Sequence, residues 1–364
     1  VFLATILSKR VSLLPPNRNE ADIRKLIETH SNAQVLVGSI DSLTTLPGVI
    51  RSPYLDEFRQ STAIVPSITK DQPVALAFTS GSTGQPTKNL KYWGTLTTTA
   101  RSLADRLFGD FTPSIVATVP SQHMYGLEMI TLMAMYGGAR IATKHPFFPM
   151  EIARALRSVD NPVLVTTPAH LRALVGAGIN YQPLSKIISA TAPLSLELAK
   201  AAEQSFSCEL EEIYGCTEAG SIATRRTVVT QDFRLLRNLR LNVSQDKALL
   251  SVPHIEARVE LSDVIKMTPG GFRLIGRSED MLNVAGNRYS LTELSARIQD
   301  VPGVEDAIAF LPNNEMEIER PAALIVSDKN PREVLRNLAK SIDPAFLPRP
   351  IIRVDLIPRN ATGK

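Results

Sequence analysis

A chain of 364 residues, 44% hydrophobic and 21% charged, has the composition of a soluble globular enzyme with room for about two domains. No apolar run approaches the ~18 residues that a membrane span needs. Two cysteines, Cys208 and Cys216, are too few for a disulfide framework, so a reducing, cytoplasmic setting is expected.

The chain opens on Val1-Phe2-Leu3-Ala4, with neither methionine nor signal peptide and as if within an element, so residues upstream are expected. Val11–Leu14 reads as a strand ended by Pro15-Pro16. Asn19–His30 has helical spacing, with Ile23, Leu26 and Ile27 on one face. Val35–Val37 is a short strand, and 41–73 is loop-rich. Val74–Phe78 is a buried strand. Helices are expected over Thr95–Leu107, Leu127–Tyr136, Met150–Val159, Ala169–Val175 and Ser195–Ser205. Strands are expected over Ile115–Val119, Arg140–Ala142, Val163–Val165, Ile187–Ser189 and Glu209–Ile213. Such alternation predicts a parallel sheet with helices on its faces, which binds ligands at the carboxyl ends of its strands.

The stretch 225–247 carries Arg225, Arg226, Arg234, Arg237, Arg240 and Lys247 against Asp232 and Asp246, an excess equal to the net charge of +4. Only Phe233 interleaves as an aromatic, which argues against nucleic acid. A solvated face is favoured over a docking face for an acidic partner. From about 248 the texture changes. Leu249–Val252, Ala257–Leu261 and Gly271–Ile275 read as short antiparallel strands. Past Asp280, a helix (Leu291–Ile298), strands (Val304–Phe310, Pro321–Val326), a helix (Pro331–Lys340) and a strand (Ile351–Asp355) make a small α+β unit. The fold class is α/β: a large N-terminal core over 1–280 with a reduced β-subdomain, then a mobile C-terminal domain over 281–364.

Phe78-Thr-Ser-Gly-Ser-Thr-Gly-Gln-Pro-Thr-Lys-Asn89 follows the Val74–Phe78 strand. Glycines let backbone N–H groups converge, Ser and Thr add donors, and Lys88 adds a positive charge; the set suits phosphate oxygens. It is not a Walker loop, because Pro86 stands five residues past Gly81 where that motif needs glycine. Read alone, the stretch fits a flexible surface loop equally well.

Four further signatures follow: Pro120-Ser-Gln-His123-Met-Tyr-Gly126; Ile213-Tyr-Gly-Cys-Thr-Glu218; Asp263 ahead of Gly271-Phe-Arg-Leu-Ile-Gly-Arg277-Ser-Glu-Asp280-Met-Leu-Asn-Val-Ala-Gly286; and Pro358-Arg-Asn-Ala-Thr-Gly-Lys364. In this order they resemble the adenylate-forming superfamily of acyl- and aryl-CoA synthetases, peptide-synthetase adenylation domains and luciferase, over nearly the whole chain. The resemblance implies a carboxylate attacking the α-phosphate of ATP, then a thiol displacing AMP. An acid with a pKa near ~4 is already ionised, so the first half needs positioning and charge neutralisation rather than a general base.

By the same resemblance, Thr79, Ser80, Gly81, Ser82, Thr83, Gly84 and Lys88 hold the β- and γ-phosphates. Glu218 binds Mg²⁺, Thr217 touches the α-phosphate, and Tyr214 with Gly215 meets the adenine. The backbone of Ala190, Thr191 and Ala192 lines the base. Asp263 and Arg277 grip the ribose, and Lys364 bridges the carboxylate and α-phosphate. His123, Met124, Tyr125, Gly126, Ser189 and Gly220 form the acyl pocket. The hinge Asp280 implies domain alternation, which exchanges Lys364 for the Ala285-Gly286 loop.

Plainer readings stand beside these. Tyr214 as a core aromatic, Glu218 as a helix N-terminal carboxylate, Asp263 as a turn residue, Arg277 and Asp280 as a surface pair, and Lys364 as a terminal lysine all suit the residues taken singly.

The sequence departs from the family in four places. Thr87 intervenes before Lys88, Asn283 stands where many members carry lysine, and Glu218 and Asp263 are close together for the family. The chain also stops at Lys364, where members usually continue a little. No Asp lies within 123–126 to pair a substrate ammonium, which argues against an amino acid. Gln122–Glu128 resembles bacterial ligases that load aryl acids such as hydroxybenzoate for aryl-polyene pigments. A fatty acid is the alternative, and a non-catalytic adenylate-binding protein is the alternative of another class. The acceptor is CoA or a phosphopantetheinyl carrier protein. Arg332, Arg336 and Lys340 fall at i, i+4, i+8, either as a docking stripe for an acidic carrier or as a plain solvated stripe.

Overall fold

A computed structural model describes residues 2–15, 20–30, 32–37, 49–51, 66–79, 87–143, 145–244, 247–277, 281–284, 287–312, 320–340 and 342–358. Its centre is a seven-stranded sheet. Five strands are parallel, in the order Arg140–Ile141, Ser114–Ala117, Pro162–Thr166, Lys186–Ser189, Leu210–Cys216. Gly220–Arg225 and Arg234–Leu235 then return antiparallel at the far edge.

Both faces of this sheet are apolar because both are covered. Ile115, Ala117, Val163, Val165 and Ile188 face one core, where the helix Trp93–Leu107 packs. Val116, Leu164 and Ile187 face the other, under the helices Pro149–Arg157, Pro168–Gly176 and Leu196–Phe206. Successive residues of each strand thus serve opposite layers, as the two-residue period requires. Side chains cap two of the helices that leave the carboxyl edge. The Thr167 hydroxyl accepts from His170 N at 3.4 Å, and the Ser195 hydroxyl from Leu198 N at 3.3 Å.

The expected strand before the Gly-Ser-Thr stretch is present as Pro73–Thr79, but it lies outside the seven-stranded sheet. It pairs parallel with Ser12–Leu14 and antiparallel with Thr87–Tyr92. The stretch therefore links two antiparallel strands instead of leading from a strand into a helix. Thr87-Lys-Asn-Leu-Lys-Tyr92 has no apolar alternation that would announce a strand; its backbone pairing imposes one.

The antiparallel expectation holds beyond residue 240. Arg240–Ser244, Lys247–Ser251 and Val259–Leu261 form one sheet, and Asp263–Thr268 pairs with Gly271–Arg277 in a hairpin. Phe233 and Phe272, each almost fully buried, stack in the core beneath them. Farther along, the helices Leu291–Gln299 and Pro331–Leu338 cover strands Val304–Phe310, Ala322–Ser327 and Ile351–Arg353 around a separate apolar cluster. Two hydrogen bonds tie this unit to the helices under the large sheet. Arg172 Nη2 donates to Gln299 Oε1 at 3.0 Å, and Ser195 Oγ donates to Asp300 Oδ1 at 2.8 Å.

The basic stretch is neither free nor simply solvated. Arg225 pairs with Glu212 at 2.7 Å, and Arg226 with Glu203 at 2.9 Å and Glu209 at 2.7 Å. Arg237 and Lys247 reach Asp105 and Glu260. Acids from elsewhere in the chain thus neutralise much of the local excess. Among the described residues no helix is long and apolar enough to cross a membrane.

Candidate active site

The carboxyl edge of the parallel strands collects several of the expected residues. Lys186–Ser189 runs out into Ala190-Thr191-Ala192. Thr191 has φ +83°, a conformation that a β-branched residue adopts only when its surroundings enforce it. Ser189 is fully buried, and its Oγ meets no hydrogen-bond partner among the described residues; the same holds for Oε1 of Gln122. Unsatisfied buried polar atoms are costly and mark places where a ligand can supply the missing partner.

Leu210–Cys216 turns through Thr217-Glu218-Ala219 into Gly220–Arg225. Thr217 and Glu218 therefore sit at the tip of a β-hairpin, and the helix-N-terminus reading of Glu218 is corrected. Two glycines make this hairpin possible. A Cβ on Gly215 would lie 2.5 Å from the Gly220 carbonyl oxygen, beside a register shift between Tyr214 and Gly215. Gly220 has φ +80°. Glu218 is exposed and Thr217 half-buried. Burial, with Glu218 next, pushes the Cys216 thiol up to about 12, and burial does the same for Cys208.

Tyr214 is 8% exposed, its ring centroid 5.7 Å from that of Phe233 and 5.9 Å from that of Phe272. It is a core aromatic with a polar end: its hydroxyl donates to Asp263 Oδ2 at 2.7 Å. Asp263 opens a strand instead of occupying a turn, and its register partner across the hairpin is Arg277. Tyr214, Asp263 and Arg277, distant in sequence, are thereby brought together.

His123 stands just before the helical segment Met124–Gly126, and its carbonyl accepts from Leu127 N at 2.7 Å. Met124 reaches toward the Gly220 side of the hairpin. Tyr125 is a core residue. Its ring lies in the apolar cluster and its hydroxyl donates to the Ile188 carbonyl at 2.9 Å, so it fixes the wall from behind. Burial lifts its phenol well above the ordinary value. The helix continues as a π-helical turn over Leu127–Leu132, an uncommon geometry that is frequent at functional sites.

Two buried charges lie under the hairpin, and sequence reasoning gave them no role. Lys91, 3% exposed, donates to the Glu218 carbonyl at 2.7 Å. Glu128, 1% exposed, accepts from Ser221 N at 3.1 and 3.2 Å and from Ser221 Oγ at 2.5 Å. Burial lowers the Lys91 ammonium, against the attraction of Cys216, Glu128 and Glu218. Burial raises the Glu128 carboxyl, against the Ser221 hydrogen bonds and Lys91. For Glu128 the only sequence signal was a charged residue within an apolar run, and for Lys91, in a strand without apolar alternation, there was none.

His170 was also unremarked. Its Nδ1 lies 3.2 Å from Thr167 Oγ1 and 3.4 Å from Thr118 Oγ1, at the ends of two central strands, and its ring meets Phe147 edge-on. Burial lowers its imidazole.

Ser80, Gly81, Ser82, Thr83, Gly84, Asp280 and Lys364 lie outside the described residues, as do the side chains of Thr79 and Arg277. The backbone of Thr79 pairs with Thr87, and Lys88, opposite Phe78, is exposed. Its Nζ lies 3.5 Å from His30 Nε2, while His30 Nδ1 is 3.0 Å from the Leu26 carbonyl. That geometry suits an Nδ1–H tautomer with Nε2 accepting from Lys88.

The family model described as AMP-binding enzyme matches residues 10–263. A 3,4-dihydroxybenzoate–[aryl-carrier protein] ligase of Bacillus anthracis is 23% identical over 307 residues, covering 81% of this chain and 72% of the relative. A 4-coumarate–CoA ligase of Halorhodospira halophila is 29% identical, covering 79% and 73%. Among solved structures, the o-succinylbenzoate CoA synthetase MenE of Bacillus subtilis, in complex with ATP and a magnesium ion, superposes with a TM-score of 0.83 at 17% identity, over 100% of this chain and 84% of that one. ATP-bound MatB of Rhodopseudomonas palustris superposes with a TM-score of 0.81 at 18% identity, over 100% and 83%. At these identities the superpositions establish a shared fold.

Proposed function

The chain belongs to the AMP-binding enzyme family and is an AMP-forming acid–thiol ligase; from that premise we propose that it activates an aryl acid with ATP and passes the acyl group to a carrier-protein or CoA thiol. The single observation that carries the nucleotide part is the convergence of Tyr214, Asp263 and Arg277 from three strands, through the Tyr214–Asp263 hydrogen bond and the Asp263–Arg277 register. The aryl assignment is supported by the dihydroxybenzoate and coumarate ligases among the relatives.

The chain's own groups suit the first half-reaction. Asp263, held by the Tyr214 hydroxyl, accepts from ribose hydroxyls. Thr217 donates to the α-phosphate from the hairpin tip, and Ser80–Gly84 and Lys88 hold the outer phosphates. Lys364 offsets the charge where carboxylate and α-phosphate meet. Among the described residues no cluster of three His, Cys, Asp or Glu side chains suits a metal. Mg²⁺ does not require one, since one carboxylate plus substrate phosphates is its usual setting; the exposed Glu218 fits that role. Bound there, the ion would neutralise phosphate charge.

For the second half, neither cysteine supplies the thiol. Burial pushes both thiols up to about 12, which disfavours their thiolates and supports an external thiol, of CoA or a carrier protein, as the acceptor. Arg332 and Arg336, exposed one turn apart on Pro331–Leu338, with exposed Lys340 just beyond, offer an acidic carrier a docking face. Reversing those three charges is expected to raise KM for a carrier protein and leave adenylation unchanged.

The test is pyrophosphate–ATP exchange across benzoates, cinnamates, short and long fatty acids and amino acids, with Lys364→Ala alongside. Exchange driven by an aryl acid and lost in the variant is the expected result. Exchange with fatty acids alone refutes the aryl assignment. Nucleotide binding with silence across the whole panel points to an adenylate-binding protein without turnover.

A further inference from the structure

Three segments meet here: the strand Thr87–Tyr92 returning from the Gly-Ser-Thr stretch, the helical wall that starts at His123, and the hairpin itself. A single buried polar group joins each of the first two to the hairpin. Lys91 Nζ donates to the carbonyl of Glu218, within the three-residue loop. The Glu128 carboxylate takes the backbone N–H and the hydroxyl of Ser221, just after that loop. One anchor thus holds the loop and the other holds its exit. Between them Gly220, at φ +80°, leaves room where a Cβ would collide with Glu128 Oε1. Lys91 and Glu128 also attract each other across this gap.

We propose that Lys91 and Glu128 are positioning residues: together they brace the Cys216–Ser221 loop and so set where Thr217 and Glu218 present their side chains to a magnesium–nucleotide complex. The inference rests on the reading of Thr217 and Glu218 given above, and it goes further by assigning two buried groups that act through that loop. The geometry also links the two substrates. Lys91 lies on the strand leaving the phosphate-type loop, and Glu128 lies one turn past Met124 in the acyl wall. A displacement on either side is passed to the loop through a directional bond. A neutral apolar pair of similar size would fill the same space, but it would offer no donor to the Glu218 carbonyl and no acceptor to the Ser221 N–H.

The plain alternative is that the two charges only complete a buried polar network, and the experiment separates the two. Lys91→Met, Glu128→Met and the double variant are purified, and three quantities are read: Tm, kcat and KM in pyrophosphate exchange, and the affinity for MgATP by calorimetry. Each single variant leaves a buried charge without its opposite, so Tm is expected to fall in both. The double variant removes both charges, and its Tm is expected to return to within about 3 °C of the parent. If the pair positions the loop, exchange stays depressed in that double variant, roughly tenfold to a hundredfold in kcat, the scale expected for a misplacement of about 1 Å. KM for the acid should change less than about threefold, and Lys91→Arg, which keeps a donor, should recover part of the loss.

Recovery of kcat together with Tm in the double variant overturns the proposal, as does unchanged exchange in either single variant. If the parent protein shows no exchange with any acid, the functional reading fails and MgATP affinity decides the inference alone. A loss of about tenfold or more in the refolded double variant then supports it, and unchanged affinity, or no MgATP binding by the parent, overturns it.

Discussion

Replacing Tyr214 with Phe tests how the nucleotide pocket is built. The ring would stay, since it is 8% exposed and packed between Phe233 and Phe272. What is lost is the 2.7 Å hydrogen bond to Asp263 Oδ2. A hydrogen bond to a charged acceptor contributes about 1.5–3 kcal/mol. Asp263 is only half-buried, so water replaces part of that and the stability loss belongs at the low end. For a chain of 364 residues that is a fall of about 2 °C in Tm. The functional consequence is separable. If the hydroxyl holds the carboxylate in the rotamer that grips the ribose, about 1.4 kcal/mol of nucleotide binding goes with it, a roughly tenfold rise in KM for ATP. KM for the acid and kcat should stay within about twofold. Pyrophosphate exchange, with ATP and acid varied independently, reads all three. A fall in Tm with KM for ATP unchanged would show that Tyr214 is a core aromatic whose hydroxyl is merely satisfied. A rise in KM for the acid instead would refute the assignment of Asp263 to the ribose.

Two further outcomes follow from particular contacts. Gly215→Ala would put a Cβ 2.5 Å from the Gly220 carbonyl oxygen and 2.9 Å from Ser221 Cα, both backbone, and should cost about 1–3 kcal/mol by thermal melts and depress exchange. Gly176→Ala, where the added carbon meets nothing within 4 Å beyond its own helix, is the control that should leave exchange unchanged and not lower Tm. Glu203 is held below the ordinary carboxylate range. Burial pushes it up, but the hydrogen bonds from Arg226 and from Leu210 N outweigh that. A depressed carboxylate contributes stability above its unfolded value, near ~4.3, and loses it as the pH falls through the folded value. Glu203→Gln should therefore lower Tm at neutral pH and flatten its fall below about pH 4.3; an unchanged acid limb would contradict the assignment.

The alternation of strands and helices was legible because burial writes it directly. Ile115-Val116-Ala117 and Val163-Leu164-Val165 are apolar at every position since each residue meets one of two cores. The strand Thr87–Tyr92 was not legible, because half of its residues are exposed and its order comes from pairing with Pro73–Thr79. Gly220–Arg225 was hidden for a related reason: it exists as the return arm of a hairpin whose turn depends on two glycines that a periodicity count reads as breaks. The basic stretch misled in another way. Charge counted in a window omits partners such as Glu203, Glu212, Asp105 and Glu260, which only the fold brings near.

The candidate site shows the same division between what a motif carries and what tertiary structure adds. Tyr214, Thr217 and Glu218 belong to one short recognisable string, since they lie contiguously at the end of a strand and in the turn that follows it. Lys91 and Glu128 carry no such signature, because each acts on a hairpin far away in sequence. Their energetics argue against a purely stabilising role. Removing two ions from water costs several kcal/mol each, and an apolar pair in the same space is often as stable or more so. Here neither charge is spent on the other alone: Lys91 also binds a loop carbonyl and Glu128 a strand N–H, each fixed in direction. Burial of this kind yields little net stability but defines where a turn must sit, and this turn carries Thr217 and Glu218.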